Sequence, residues 1–195
     1  MMVKKVCKDR KLKNSISCAE FGASSGHILS AMPCGTKVGI EVNACARAWG
    51  EEHLGLTYVS KTQLLPSNQI DFIYTTSVLE HVECPTCEVR EIYRVLRVGG
   101  VFVAQVPGMA PGSMTFVPNG IDNELQMFGA LELGNILISA GFRVDPTECS
   151  SDITQWPDDF ESKFEELGEE KFIEASKKWG ESHQRLVTTT CVGYK

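Results

Sequence analysis

No apolar run in the chain approaches the roughly 20 residues needed to cross a bilayer, which argues against an integral membrane protein. Basic residues are not in excess either. Lys and Arg number 19 against 25 Asp and Glu, a net charge of −6 that leaves no electrostatic footprint for a nucleic-acid binder. The stretch 1–14 is basic and polar, has no apolar segment of the kind a secretory signal carries, and reads as a solvated tail. Internal repeats and low-complexity linkers are missing as well. Cysteine is not scarce: eight are present, at positions 7, 18, 34, 45, 84, 87, 149 and 191. Several, such as Cys18 and Cys191, lie in apolar or strand-like surroundings. Without a signal segment they read as reduced thiols in a cytoplasmic protein. With 43% apolar and 23% charged residues, 195 residues fit one globular domain, expected over 15–195 behind the tail.

Periodicity alternates between strand and helix. Strands are expected at Ile16–Phe21, Lys37–Val42, Leu56–Ser60, Ile70–Thr76 and Val101–Val106, the last stopped by Pro107. Helices are expected from Gly26 to about Met32, over Ala44–Leu54 with Ala44, Ala48 and Trp49 on the apolar side, and over Cys87–Leu96. A long loop spans Gly108 to about Glu124, followed by a helix at Leu131–Ala140 and a strand at Phe142–Asp145. Residues 150–184 read as an acidic, amphipathic helical cover with Phe160, Phe164, Leu167, Phe172, Ile173 and Trp179 inward, before a last strand at Leu186–Val192. The alternation predicts an α/β fold: a doubly wound, mostly parallel seven-stranded sheet, Rossmann-like, with helices on both faces.

The chemistry gathers at Glu20-Phe-Gly-Ala-Ser-Ser-Gly26, between the first strand and the first helix. Gly22 permits a sharp bend, and Gly26 would let a ligand approach the backbone. Glu41 lies 19 residues beyond Gly22 at the tip of the second strand. An acid in that place accepts hydrogen bonds from the ribose hydroxyls of an adenine nucleotide. A dinucleotide site would want Gly-x-Gly-x-x-Gly, but Ser24 stands at the second glycine. A nicotinamide-dependent oxidoreductase is thereby disfavoured.

The turn resembles the acidic-x-Gly-x-Gly-x-Gly turn of class I S-adenosylmethionine (SAM)-dependent methyltransferases, with one glycine replaced. Ile70-Asp-Phe-Ile-Tyr-Thr-Thr-Ser-Val-Leu-Glu-His-Val82 is similar to the same family's fourth strand running into Leu-Glu-His. Arg94-Val-Leu-Arg-Val-Gly-Gly100 and Ser139-Ala-Gly-Phe142 resemble later landmarks, so that the likeness covers about 16–145 in order. The resemblance implies SAM as cofactor, held by Glu20, Gly22, Ala23, Ser24, Ser25 and Gly26 at the methionine end. It also implies Glu41 with the adjoining Val42 at the ribose, and Thr75, Thr76 and Ser77 beside the methionine portion. Lys61 stands where the family often has an acid for the adenine amino group, which leaves Thr62 and Gln63, or backbone groups, for that task. His81 is the candidate base, since imidazole titrates near neutral pH. The implied partner is a small-molecule methyl acceptor, with neither nucleic acid nor membrane. The alternative is an inactive SAM- or nucleotide-binding module. Cys84-Pro-Thr-Cys87 has no second pair at ligand spacing, so no metal site is expected.

Overall fold

A computed structural model describes residues 16–108, 124–154, 160–182 and 186–195. The basic tail, the interior of the loop after Gly108, and His183 lie outside the described residues. The strands are β1 (Ser17–Phe21), β2 (Thr36–Ile40), β3 (Thr57–Val59), β4 (Ile70–Thr76), β5 (Leu96–Gly108), β6 (Arg143–Thr154) and β7 (Leu186–Tyr194). They form a seven-stranded sheet in the order β3-β2-β1-β4-β5-β7-β6. The first five run parallel, and β7 is antiparallel to both neighbours. The helices are α1 (His27–Ala31), α2 (Ala44–Leu54), α3 (Pro85–Val95), α4 (Ala130–Ser139) and α5 (Phe160–Ser182).

Adjacent strand residues face opposite sides of the sheet, and the core divides accordingly. Ala19, Ile73 and Phe102 pack with Val89 and Ile92 of α3 and with Leu133 and Leu137 of α4. Cys18, Phe72 and Val103 pack on the other face with Leu29 of α1 and with Met32 and Leu56. The expected doubly wound architecture is therefore present. The strand order reverses between β1 and β4, and a crevice opens there at the carboxyl ends of the strands.

Several local expectations differ from the structure. Pro107 does not stop β5. Pairing with β4 ends at Gln105, and beyond it β5 pairs only with β7, so that a residue without an N–H is tolerated on a free edge. The acidic cover does not begin at 150: Ser150–Thr154 continue β6 and pair with Thr190–Leu186 of β7. The helix proper starts at Phe160 and is interrupted at Gly168, whose φ is 71°. Phe172 is fully buried, whereas Phe164 is 39% exposed and meets the Phe172 ring edge-on. The side chains of Phe160, Ile173 and Trp179 fall outside the described residues. On α2 the inward position is Gly50; Ala44 and Ala48 face solvent and Trp49 is mostly outward, stacked on His53.

Four of the cysteines are paired, contrary to the expectation of reduced thiols. Cys18 joins Cys34 with Cα atoms 6.0 Å apart, and Cys84 joins Cys87 at 5.3 Å, both inside the range a disulfide spans. The first links β1 to the turn before β2 and the second closes the first turn of α3. Cys45, Cys149 and Cys191 are free.

Tyr58 explains why so many glycines surround the first turn. A Cβ on Gly26 would meet its hydroxyl at 2.3 Å, one on Gly39 its ring at 2.3 Å, and one on Gly50 its hydroxyl at 2.3 Å. Gly26 thus leaves room for a protein ring on the side where a Cβ would stand. The Tyr58 hydroxyl is buried and has no hydrogen-bond partner. Beneath the same turn Glu20 is 2% exposed, and its Oε2 accepts the Leu29 N–H at 2.9 Å. Gly26 caps α1 without a side chain, so the Glu20 carboxyl satisfies one of that helix's orphan donors through space. Burial, opposed by the Leu29 N–H and reinforced by Glu41, pushes Glu20 from its ordinary 4.5 up to about 8.

Two outcomes follow from this buried chemistry. Tyr58→Phe removes a polar group buried without a partner and should stabilise the protein by about 1 kcal/mol in urea unfolding. A loss of stability would mean that the hydroxyl has a partner in solution. The folded state holds the Glu20 proton to higher pH than the unfolded chain does, so stability falls as pH rises from 4.5 towards 8, by up to about 1.4 kcal/mol per pH unit. Glu20→Gln keeps an acceptor for Leu29 and should flatten that slope. A variant profile parallel to the parent's would remove Glu20 as its source.

Candidate cofactor site

The crevice at the strand-order reversal holds a cavity of about 400 Å³, a volume usual for small-molecule and cofactor sites. Its first wall is the turn after β1. The Gly22 and Ala23 N–H groups donate to the Ile40 carbonyl at 2.8 and 3.2 Å, which folds the turn back onto β2. Gly22 has φ of 76°, and a Cβ there would come within 2.1 Å of Val78, so only glycine fits. Ser24 follows with φ of 48°. Serine therefore takes the left-handed conformation at the position where the related turns carry glycine. Its N–H reaches the next wall.

That wall is Glu41, one residue past β2. Its Oε2 accepts the Ser24 N–H and its Oε1 the Asn43 N–H, each at 2.8 Å. The guanidinium of Arg47 donates to the carbonyls of Glu41 and Val42 at 2.7 and 2.9 Å. Asn43 caps α2 by accepting from Cys45 and Ala46. The carboxylate is thus fixed at both oxygens, each of which retains acceptor capacity, and Glu41 lines the cavity. Val42 lines the mouth beside it and is 83% exposed.

The floor comes from β4 and the loop that follows. Thr75 is fully buried and its hydroxyl donates to the Phe21 carbonyl at 2.9 Å, tying β4 to β1 beneath the cavity without lining it. The Thr76 hydroxyl turns to Gln105. Ser77 does line the cavity and has φ of 52°. Ser24 and Ser77, two non-glycine residues in left-handed backbone, so stand on opposite sides of one crevice, where local strain commonly marks function. His81 completes this side, exposed to the cavity, with Nε2 3.6 Å from Glu80 Oε1. Glu80 is 1% exposed and neither of its oxygens has a hydrogen-bond partner. Burial raises its carboxyl above the usual range, and the charge of His81 opposes that rise.

Of the residues expected at the cofactor, Gly22, Glu41, Val42, Ser77 and His81 line one cavity. Glu20, Ala23 and Gly26 are buried under the turn, and Thr62 and Thr75 behind the wall. Ser60, Lys61, Val78, Val82 and Glu88 also line it. The last of these was invisible in the sequence, because it lies 26 residues from the loop it faces.

Residues 19–104 match the family described as "Methyltransferase domain". A protein of Mycolicibacterium smegmatis named "Probable S-adenosylmethionine-dependent methyltransferase" is 38% identical over 88 residues, 43% of this chain and 32% of that protein. The chain therefore spans about a third of that relative's length. Among solved structures, the phosphoethanolamine N-methyltransferase 2 of Haemonchus contortus in complex with S-adenosyl-L-methionine superposes with a TM-score of 0.67 at 13% identity, over 97% of this chain and 51% of that one. The [4+2]-cyclase SpnF gives 0.65 at 16% identity, over all of this chain and 80% of its own. Likeness at such identities establishes the fold alone. Residues 19–104 are thus similar to a methyltransferase domain, and the chain has the fold of these structures.

Proposed function

We propose that the protein binds SAM in this cavity and transfers its methyl group to a small-molecule acceptor. The observation that carries this reading is the Glu41 carboxylate, oriented by two backbone N–H groups at the edge of a cavity whose other edge is Gly22. A pair of vicinal hydroxyls presented there meets two fixed acceptor oxygens. The methionine end lies along the Gly22–Ser25 turn and beside Ser77. A dinucleotide is disfavoured on two grounds. The Ser24 N–H is committed to Glu41, and α1 has only five residues, too few to offer a pyrophosphate a substantial helix dipole.

Bound there, SAM supplies a methyl group on a cationic sulfur. The protein's part in an in-line displacement is to hold acceptor and donor aligned and to exclude water. His81, on the cavity wall, takes a proton from an acceptor that must lose one. Glu80 lies beneath it, with Oε1 3.6 Å from the imidazole Nε2. SpnF shows that this fold also carries other chemistry, so that a binding module without transfer remains the rival reading.

Calorimetry with SAM, S-adenosylhomocysteine and NAD tests the ligand. Glu41→Ala should lower affinity for both adenosyl compounds at least about ten-fold. Binding of NAD in place of either would sink the assignment. Labelled SAM incubated with a metabolite extract should yield a labelled small molecule, and its absence across broad extracts selects the binding module. For the labelled acceptor, His81→Gln should reduce kcat while leaving the affinity for S-adenosylhomocysteine unchanged. Undiminished turnover removes the base.

A further inference from the structure

The two disulfides differ in the properties that decide how readily a disulfide exchanges. Cys18 and Cys34 lie 16 residues apart, with Cys18 fully buried and Cys34 8% exposed. Cys84 and Cys87 lie three apart, and both are exposed. A ring this short restrains the unfolded chain least, and an exposed sulfur is open to attack. The first pair fits a structural tie and the second a reactive one. Placement in the fold points the same way. Cys84 is the N-cap of α3, Pro85 the first helical residue and Cys87 the third, in a helix that connects the parallel strands β4 and β5. A Cys-x-x-Cys pair opening the helix of such a unit is the arrangement of a redox dithiol. N–H groups at a helix start favour thiolate over thiol, an effect that Glu88 in the same turn partly opposes. Pro85 is buried with its φ fixed by the ring, and the Cys84 carbonyl accepts the Cys87 and Glu88 N–H groups at 3.0 and 3.2 Å. The turn therefore keeps its shape when the S–S bond opens, and the two thiols stay within reach of reclosure.

We propose that Cys84–Cys87 is a reversible thiol–disulfide exchange site that takes a dithiol as its reductant, an activity independent of SAM binding. A thiolate of the dithiol attacks one exposed sulfur, the Sγ–Sγ bond breaks, and the other cysteine leaves as a thiolate at the start of α3. The second thiol of the reductant then attacks the reductant's own sulfur in the mixed disulfide and releases the remaining cysteine. Two electrons pass to the pair, the dithiol becomes an intramolecular disulfide, and its two protons end on Cys84 and Cys87. The same steps in reverse close the pair against a disulfide oxidant.

The folded protein is treated with dithiothreitol, returned to oxidised glutathione, and alkylated at each stage for peptide mass mapping. The peptide carrying Cys84 and Cys87 should gain two labels together on reduction and lose both on oxidation, while Cys18 and Cys34 stay unlabelled. Cys87→Ser removes the resolving thiol and should accumulate a glutathione mixed disulfide at Cys84 at least about ten-fold above the parent. A thermal melt matching the parent confirms that folding is intact, and Cys84→Ser, which traps glutathione at Cys87, is the second variant should the first unfold. A pair that stays closed in excess dithiothreitol, or stays open in oxidised glutathione, overturns the proposal. Equal opening of Cys18–Cys34 in the folded protein, or a parent that holds glutathione as firmly as Cys87→Ser, overturns it as well. None of these readouts involves an adenosyl compound, so that failure of the SAM reading would leave them unchanged.

Discussion

Glu41 and the turn after β1 hold each other in place, and the rest of the site depends on that clasp. The turn would otherwise expose the Ser24 N–H in a left-handed conformation that serine adopts at some cost. The carboxylate repays that cost with a charge-assisted bond. In exchange the turn fixes one carboxylate oxygen, and Asn43 fixes the other. Asn43 is itself immobilised as the cap of α2, while Arg47 of that helix grips the carbonyls on either side of the strand end. Two N–H groups thus converge on one carboxylate at the lip of the cavity, and Arg47 holds the backbone that carries it. A ligand that meets it finds the acceptors already oriented and loses little entropy in ordering them.

Behind this polar clasp stands an apolar one. Tyr58 occupies the space left by three glycines on three different elements, so that the turn, β2 and α2 approach more closely than any side chains would permit. Close approach brings Glu41 within reach of Ser24. It also leaves the Tyr58 hydroxyl buried and unpartnered, with the charges of Glu20, Glu41 and Glu51 adding to burial in raising its pKa. The packing therefore accepts one unsatisfied hydroxyl in return for the geometry of the lip.

The division between what the sequence disclosed and what it hid follows the range of the interactions. Strands β1 to β5 and the sheet class were legible because each strand carries its own apolar pattern and each crossover its own turn residues. The acid at 41 was legible because its distance from Gly22 is set by one strand–helix–strand unit. The end of β5 and the extension of β6 were not, since both depend on antiparallel pairing with β7 more than 30 residues away. The packing at Gly26 was hidden for the same reason: a Cβ there would meet Tyr58, 32 residues later. Glu88 was hidden because nothing near it in the chain announces the Thr62 loop. The two disulfides were likewise set by proximity in the fold rather than by the absence of a signal segment.

Glu80 and His81 show how reaction and fold separate. The backbone of Glu80 accepts N–H groups from Leu125 and Gln126, the residues at which the chain returns from the loop after β5. The side chain that results is an acid sealed from water with no hydrogen-bond donor in contact, and its nearest charge is the imidazole on the cavity wall. Such a carboxyl contributes little to stability, because its desolvation is not offset by hydrogen bonds. The loop's return fixes the peptide that carries both residues. The position of His81 on this wall is therefore coupled to the 124–126 segment. The cofactor wall opposite, built on β1 and β2, is held independently by Glu41 and Tyr58. One wall of the cavity is thus anchored in the sheet and the other tied to a loop, so that the two can vary separately on one architecture.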